Sequence, residues 1–227
     1  MSDPVAAAGG DTPWGKHRVE ALTDGIFAVA MTLLVIELKI PDPHAVASQH
    51  DLLQALAALL PKFVSWVISF FVLAIFWISH HRLFHFVRHV DAPLLWRNVF
   101  QLALVSLMPF AAALVGEYPG MPVAQAAYNG NMAALAALAA LKLKYVYRHP
   151  GLTGIPLDAP TYHAALLRNG ALMLCAVAAM AIAATHGTQF ATFVYLLMFP
   201  IGRFSRHREK KARLRLAAAS PSPLEHP

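Results

Sequence analysis

Residues 18–41 read RVEALTDGIFAVAMTLLVIELKIP, and this stretch decides the fold. It contains an apolar run of the length that a helix needs to cross a bilayer, about 20 residues. The run nevertheless carries three carboxylates, those of Glu20, Asp24 and Glu37. An ionised Asp inside a bilayer costs about 2.5–3.5 kcal/mol, so Asp24 should face protein or water and have a polar partner. We therefore predict a first membrane-spanning helix with a polar anchor.

A helical projection divides this first helix into two faces. At about 100° per residue, small and apolar residues form one stripe along its length, namely Gly25, Val29, Thr32, Leu33 and Ile36. Asp24 lies well off that stripe. The pattern leaves two interpretations open. The stripe either packs on another helix or, repeated around a symmetry axis, lines a pore in which an apolar ring gates by dewetting.

The whole chain has the composition of a membrane protein. Of its 227 residues, 58% are hydrophobic and 13% are charged, and the mean hydropathy is +0.52. Soluble domains are about 45–50% apolar and about 25% charged, and disordered chains are less apolar still. Both classes are therefore disfavoured. The single cysteine, Cys175, excludes an intrachain disulfide and any multi-cysteine zinc site.

The apolar runs predict an all-α integral membrane protein with six transmembrane helices per chain. The expected spans are residues 19–40, 63–79, 93–115, 123–141, 162–185 and 188–203. The last two divide one uncharged run, which as a single helix would be about 51 Å long against a hydrocarbon core of about 30 Å. We expect a flexible leader at residues 1–15, a six-helix transmembrane channel domain at 16–204 and a basic cytoplasmic tail at 205–227.

The lysines and arginines orient these helices. With six spans and a cytoplasmic N-terminus, every lysine and arginine except Lys39 and Lys62 falls on the cytoplasmic side. Five spans would put the dense cluster at residues 203–215 outside, against the positive-inside rule. We therefore expect both termini in the cytoplasm. The short chain, without an internal repeat, favours a bacterial inner membrane.

Several motifs jointly resemble one known family. Residues 18–24, RVEALTD, are similar to an Arg-x-x-x-Phe-Ser-Asp motif, and GIFAVAMTLLVIELKIP follows as in that family. The second run ends in WISHH, the third begins LLWRNVFQLALVSLMPF and the fourth contains AYNGNM. Together, over roughly residues 16–141, these motifs resemble the transmembrane protein 175 family, the endolysosomal potassium channels and their prokaryotic homologues.

The resemblance implies a homotetramer whose four first helices line an axial pore. By position, it implies a constriction at Val29, a threonine layer at Thr32 and an upper apolar layer at Leu33 and Ile36. We therefore expect a potassium-preferring channel that conducts monovalent cations passively through a hydrophobic gate. Its expected partners are lipids and monovalent cations. We expect no nucleic acid, no catalytic residues, no metal site and no cofactor beyond the conducted potassium ions.

The resemblance also implies a structural network that holds the first helix in its own subunit. In that network Arg18, Thr23 and Asp24 bond to residues on the neighbouring helices, namely His80 or His81, Trp96 and Asn98. Glu37 at the outer end would form a ring of four that attracts cations, although an interfacial solvated carboxylate is the alternative.

The chain departs from the family pattern at three positions. Leu22 and Thr23 replace Phe and Ser of the motif, and threonine keeps the hydroxyl group. Val29 stands where Ile or Leu is more usual. Because valine has one methylene less, a ring of four would be wider, and we expect only a modest preference for potassium over sodium.

Other membrane functions stay open at this point. An ion-coupled or proton-conducting transporter is one, although such proteins tend to have inverted repeats and broken helices. A metalloenzyme is another, since His81, His85 and His89 recur at helical spacing beside His80. It would need a second ligand cluster, and the chain contains no Glu-x-x-His pair. The basic tail could bind nucleic acid, but lipid headgroups are the nearer anions.

Overall fold

Seven α-helices make up most of the part of the chain that the computed structural model describes, residues 15–185, 194–195 and 198–219. The helices are α1 (Lys16–Leu33), α2 (Gln49–Ala58), α3 (Leu60–Phe86), α4 (Ala92–Glu117), α5 (Pro122–Arg148), α6 (Ala159–Thr185) and α7 (Met198–Ala219). Short 3-10 segments lie at Leu34–Glu37, Pro43–Ala45 and Pro150–Leu152. The predicted leader, residues 1–15, lies outside the described residues except for Gly15.

Helix starts follow local sequence signals. A proline occupies the first turn of α3, α4 and α5, where its missing N–H has no intrahelical partner to lose. Asp91 caps α4 by accepting a hydrogen bond of 2.9 Å from the Leu94 backbone N–H. Ser48 and Asp51 form a capping box at the start of α2. This short helix lies between the first two spans, and most of its residues are exposed.

The long helices run alternately up and down, and α4 packs against α1, α3 and α5. Helix α6 packs between α5 and α7. At one end of the bundle, which we name the Glu117 end, Lys62 of α3 forms a 2.7 Å ion pair with Glu117 of α4. At the opposite end, which we name the His80 end, the segment after α3 pairs with the loop before α6 through the Arg88 N–H and the Leu152 carbonyl, 2.7 Å apart.

The core lies between α1, α3, α4, α5 and α6. Large side chains from four of these helices are fully buried at its centre, namely Phe27, Phe76, Met108, Tyr128 and Met132. Buried alanines fill the contact between α5 and α6, including Ala136 and Ala176. Lipid tails are as apolar as these side chains, so close van der Waals packing of small residues is what holds such helices together in a bilayer.

Four of the described helical segments are long and apolar enough to cross a membrane. They are Lys16–Glu37, Leu60–Phe86, Ala92–Glu117 and Ala159–Thr185, which match the first, second, third and fifth expected spans. Helix α5 covers the fourth expected span and has the same 27-residue length as α3. It is less apolar because it carries buried polar residues such as Asn129 and Lys142. Half of the sixth expected span, 188–203, lies outside the described residues.

Two boundaries differ from the sequence expectation. Helix α3 continues to Phe86, so the basic stretch after residue 79 is its last two turns rather than a surface segment. Helix α7 runs from Met198 to Ala219 and crosses the expected border between the transmembrane domain and the tail. In both cases the cationic side chains lie on an exposed helix face, where water or lipid headgroups solvate their charges. Charge alone therefore does not end a helix.

Candidate functional site

Helix α1 has one covered and one open face. The covered face repeats every three or four residues and packs on α3 and α4, through Val19, Thr23, Phe27 and Ala30, continued by Leu34. The predicted stripe lies on the other side, which we name the open face, consisting of Gly25, Val29, Thr32, Leu33 and Ile36. The exposed fractions of Val29 and Ile36 are 56% and 64%. No other described part of the chain covers this apolar face.

Thr32 is the polar member of the open face. Its hydroxyl group donates to a carbonyl oxygen of the preceding turn, with distances of 3.0 Å to Ala28 and 2.9 Å to Val29. Because the hydroxyl proton is used within the helix, the oxygen keeps a lone pair directed away from it. The open face therefore presents one hydrogen-bond acceptor among apolar side chains.

A buried polar cluster ties α1 to its own subunit. The Asn98 Nδ2 group donates to the Thr23 hydroxyl at 2.9 Å, and the Thr23 hydroxyl donates to the Val19 carbonyl at 2.8 Å. Lys142 Nζ lies 2.9 Å from both Asn98 Oδ1 and His80 Nδ1. We name Thr23, Asn98, Lys142 and His80 the anchor cluster; it joins α1, α4, α5 and α3.

The geometry of the anchor cluster explains why α1 is held in one rotation about its axis. Lys142 is only 2% exposed and Asn98 only 1%, so neither can exchange its partners for water. Removing one partner would leave a buried polar group unpaired, which costs about 1–3 kcal/mol and more for a charge. The covered face of α1 is thereby fixed against its own helices, and the open face is fixed outward.

Asp24 is anchored separately from this cluster. Its carboxylate accepts a 2.8 Å hydrogen bond from the indole N–H of Trp77 on α3. The His81 ring stacks on the Trp77 indole, with centroids 6.1 Å apart. The expected network therefore has a different tryptophan, because Trp96 is 59% exposed and packs against Phe100.

Two more of the expected site residues lie apart from the network. Arg18 is exposed at the start of α1. Glu37 is half-buried in the 3-10 segment that ends the first span, and it lines a small hollow with Lys62 and Glu117. The Glu37 side chain therefore faces the helices of its own chain. It is rotated by more than a quarter-turn about the axis from the strongly exposed Ile36.

The histidines at helical spacing do not converge on a metal site. Helix α3 ends at Phe86, so His89 lies outside the helix that carries His81 and His85. Among the residues that the structure describes, no three His, Cys, Asp or Glu side chains come together as metal ligands. His80 instead uses its Nδ1 atom to bind Lys142.

Sequence reasoning missed two residues of this region, Lys142 and Trp77. Lys142 was counted as a cation of a cytoplasmic loop, whereas it lies inside α5 and is buried. The sequence did contain a signal for this, because the alanine-rich helical run of α5 continues through Lys142 without a break. Trp77 belongs to the WISHH motif, one turn before His80 and His81, and that spacing places it on the same helix as the expected partners.

Comparison with known proteins identifies the family. Residues 18–109 match the sequence model described as "Endosomal/lysosomal potassium channel TMEM175". A potassium channel of Streptomyces collinus is 34% identical over 155 residues, which are 66% of this chain and 74% of that relative. The chain belongs to the TMEM175 family. A potassium channel of Chamaesiphon minutus is 38% identical over 122 residues, and the aligned part is 52% of this chain and 60% of that relative.

A solved structure supports the same fold. The crystal structure of a lysosomal potassium-selective channel TMEM175 homolog from Chamaesiphon minutus is 27% identical and superposes with a TM-score of 0.70. The superposition covers 84% of this chain and 97% of that chain. This member of the TMEM175 family is therefore an all-helical, multi-pass membrane protein.

Proposed function

We propose that this chain forms a homotetrameric, potassium-preferring cation channel whose axial pore is lined by the open face of α1. The observation that carries the proposal is the uncovered apolar face of a helix whose other face is fixed by buried polar contacts. The relatives from Streptomyces collinus and Chamaesiphon minutus are named potassium channels, which supports the same function.

The proposed pore conducts passively. Val29 forms the narrowest ring, and a ring of four apolar side chains excludes water until it is wide enough to be wetted. The Thr32 hydroxyl oxygens, one helical turn further along, replace part of the hydration shell of an ion that has passed this ring. Leu33 and Ile36 form a second apolar layer. Potassium loses its hydration shell more easily than sodium, so such a pore favours potassium modestly.

The anchor cluster and Asp24 are positioning groups in this proposal. They touch no ion. They hold the rotation of α1 so that Val29 and Thr32 point towards the axis. We propose that Thr23 keeps the role of the serine in the family motif, since its hydroxyl both donates and accepts.

Glu37 is proposed to attract cations at the outer end of the pore. It lies close to the Lys62–Glu117 ion pair, so its field is partly offset by Lys62. Glu37→Gln should lower potassium flux at low ionic strength and have less effect at high salt, because salt screens the field of a half-buried carboxylate at the protein surface. Equal flux of both proteins at low salt would remove Glu37 from the conduction path.

The finer arrangement of the chain in the membrane is also part of the proposal. We place six spans in each chain, with α5 as the fourth and the region leading into α7 as the sixth. Both termini lie in the cytoplasm of a bacterial inner membrane, and the His80 end faces the same side. The function needs no cofactor and no covalent chemistry, and the cargo is potassium.

The proposal is tested by reversal potentials of the purified protein in planar bilayers. Potassium is set against sodium, chloride and protons in turn. The proposed channel gives a current whose reversal potential is shifted from zero towards the potassium potential. A current that reverses at the proton potential, or uptake that needs a second ion gradient, would favour the proton-conducting or transporter alternative and would contradict the proposal.

A further inference from the structure

A large cavity opens between α3, α5, α6 and α7 at the His80 end of the bundle. Its volume is about 790 Å³. The cavity has an apolar wall, which includes Leu83, Phe86 and Leu157, and a polar wall that includes two members of the anchor cluster, His80 and Lys142. It lies away from the open face of α1, and the proposed conduction path does not use it.

The charge of the cavity is strongly positive. Its described lining includes four cationic side chains, those of Arg82, Lys142, Arg168 and Lys210, and a single carboxylate, that of Glu209. Glu209 lies 3.8 Å from Arg168 and is neutralised by that pair. The remaining cations have no matching carboxylate in the described lining. A cavity of this kind lowers the free energy of a bound anion.

A buried hydrogen-bond donor beside the cavity also favours an anionic ligand. The His80 side chain is 4% exposed, and its Nδ1 atom faces the Lys142 ammonium group at 2.9 Å. An ammonium group can only donate, so Nδ1 accepts, and the hydrogen-bond network assigns the ring proton to Nε2. That Nε2–H is buried and has no acceptor among the residues that the structure describes. Such a group needs an acceptor atom, and His80 lines the cavity.

We propose that this cavity binds a phosphate group, as a monoester or diester. A phosphate offers several acceptor oxygens at once, to the guanidinium groups and the Lys210 ammonium at the cavity wall and, once the His80 ring shifts towards the cavity, to its Nε2–H. The apolar wall would receive the rest of an amphiphilic ligand. The same chemistry is offered by the headgroup of an anionic phospholipid and by a free phosphate compound, and the experiment below separates these two sources.

The site is tested with two matched double variants of the full chain. Arg82→Gln with Lys210→Gln removes two exposed cations from the cavity wall, and Lys144→Gln with Lys211→Gln removes two exposed cations that do not line it. One arm counts phosphatidylglycerol molecules retained by each protein in native mass spectrometry, with phosphatidylcholine as the neutral lipid. The other arm titrates inorganic phosphate and follows the broadening of its phosphorus resonance.

The cavity variant should bind phosphate or phosphatidylglycerol about tenfold or more weakly than wild type, whereas the control variant should bind as wild type does. An effect in the lipid arm alone identifies a lipid headgroup, and an effect in the inorganic phosphate arm alone identifies a free phosphate compound. Equal binding by both variants in both arms would overturn the proposal. Binding is measured without any current, so the result stands whether or not the chain conducts.

Discussion

Lys142 and Thr23 are the residues on which the rotation of α1 depends. Both belong to the anchor cluster, and both are almost completely buried. A lysine ammonium in this position is stable only because His80 and Asn98 accept from it. The same contacts decide which side chains of α1 point outward, so a polar cluster that touches no ion determines the lining of the proposed pore.

Thr23 offers a direct test of the anchor. Thr23→Val keeps the shape but removes the hydroxyl, which leaves the Asn98 N–H buried without an acceptor. We expect a loss of about 1–3 kcal/mol in the free energy of unfolding, measured as a lower midpoint of thermal unfolding in detergent. Thr23→Ser is the matched control and should be close to wild type. A Thr23→Val protein as stable as Thr23→Ser would show that the hydroxyl does not anchor α1.

Val29 offers a test of the constriction. Val29→Ala should raise potassium conductance and weaken the preference over sodium, because the ring is wider and easier to wet. Val29→Trp should lower flux by on the order of tenfold or more, because four indoles fill the ring. Flux is measured in proteoliposomes by potassium efflux.

Val35 supplies the matched control for this series. It is the other exposed valine of the first span, at 49%, and lies off the open face. Val35→Ala and Val35→Trp should leave conductance and selectivity near wild type. Equal responses at the two positions would argue against a constriction at Val29.

The sequence predicted part of the anchor and missed the rest. The pairing of Thr23 with Asn98 followed from the family resemblance, and it is present in the structure. The tryptophan expected in the network was Trp96, whereas Trp77 bonds to Asp24, because the choice depends on how α3 and α4 rotate about their axes. The burial of Lys142 likewise depends on acceptors from two other helices, which no spacing within α5 reveals.

Helix α1 was the most predictable element. Its two faces follow from side chains that repeat every three or four residues, and that period is a local property of the sequence. The projection separated the stripe from Asp24 but left open whether the stripe packs on another helix; in the described chain the stripe is the uncovered face. Helix α5 was less predictable, because its polar residues are typical of a surface helix until their partners on α3 and α4 are in place.

The capping box of α2 gives a prediction at the level of one element. Ser48→Ala removes the side chain that accepts from the Asp51 N–H, and loss of such a cap costs about 1 kcal/mol. Amide hydrogen exchange within Gln49–Ala58 should become faster, whereas exchange within α3 should not change.

Ser106→Ala is the control for the capping prediction, because that hydroxyl is exposed and bonds only within its own helix, to the Ala103 carbonyl. It should leave exchange in α2 unchanged. Unaltered exchange of α2 in the Ser48→Ala protein would mean that contacts with the headgroup region, rather than the cap, hold this helix.

The helices of the molecule differ in how much of their surface is covered by other helices of the same chain. Helix α4 packs against α1, α3 and α5, whereas the open face of α1 meets no described part of the same chain. In the proposed homotetramer, this face is completed by copies of itself around the axis. The membrane character of the chain and its family could be predicted from sequence, but the uncovered face is visible only once the described chain is folded.

The most direct test of the central claim is thiol block of the open face. The single native cysteine is replaced by Cys175→Ala, and Val29→Cys or Leu174→Cys is added to that background. Leu174 is 69% exposed on α6 and serves as the lipid-facing control. Potassium flux is recorded before and after a small methanethiosulfonate reagent, and the extent of labelling is measured by mass spectrometry. The account predicts that labelling of the Val29→Cys protein abolishes most of the flux and that labelling of the Leu174→Cys protein does not; full labelling at position 29 with unchanged flux would contradict it.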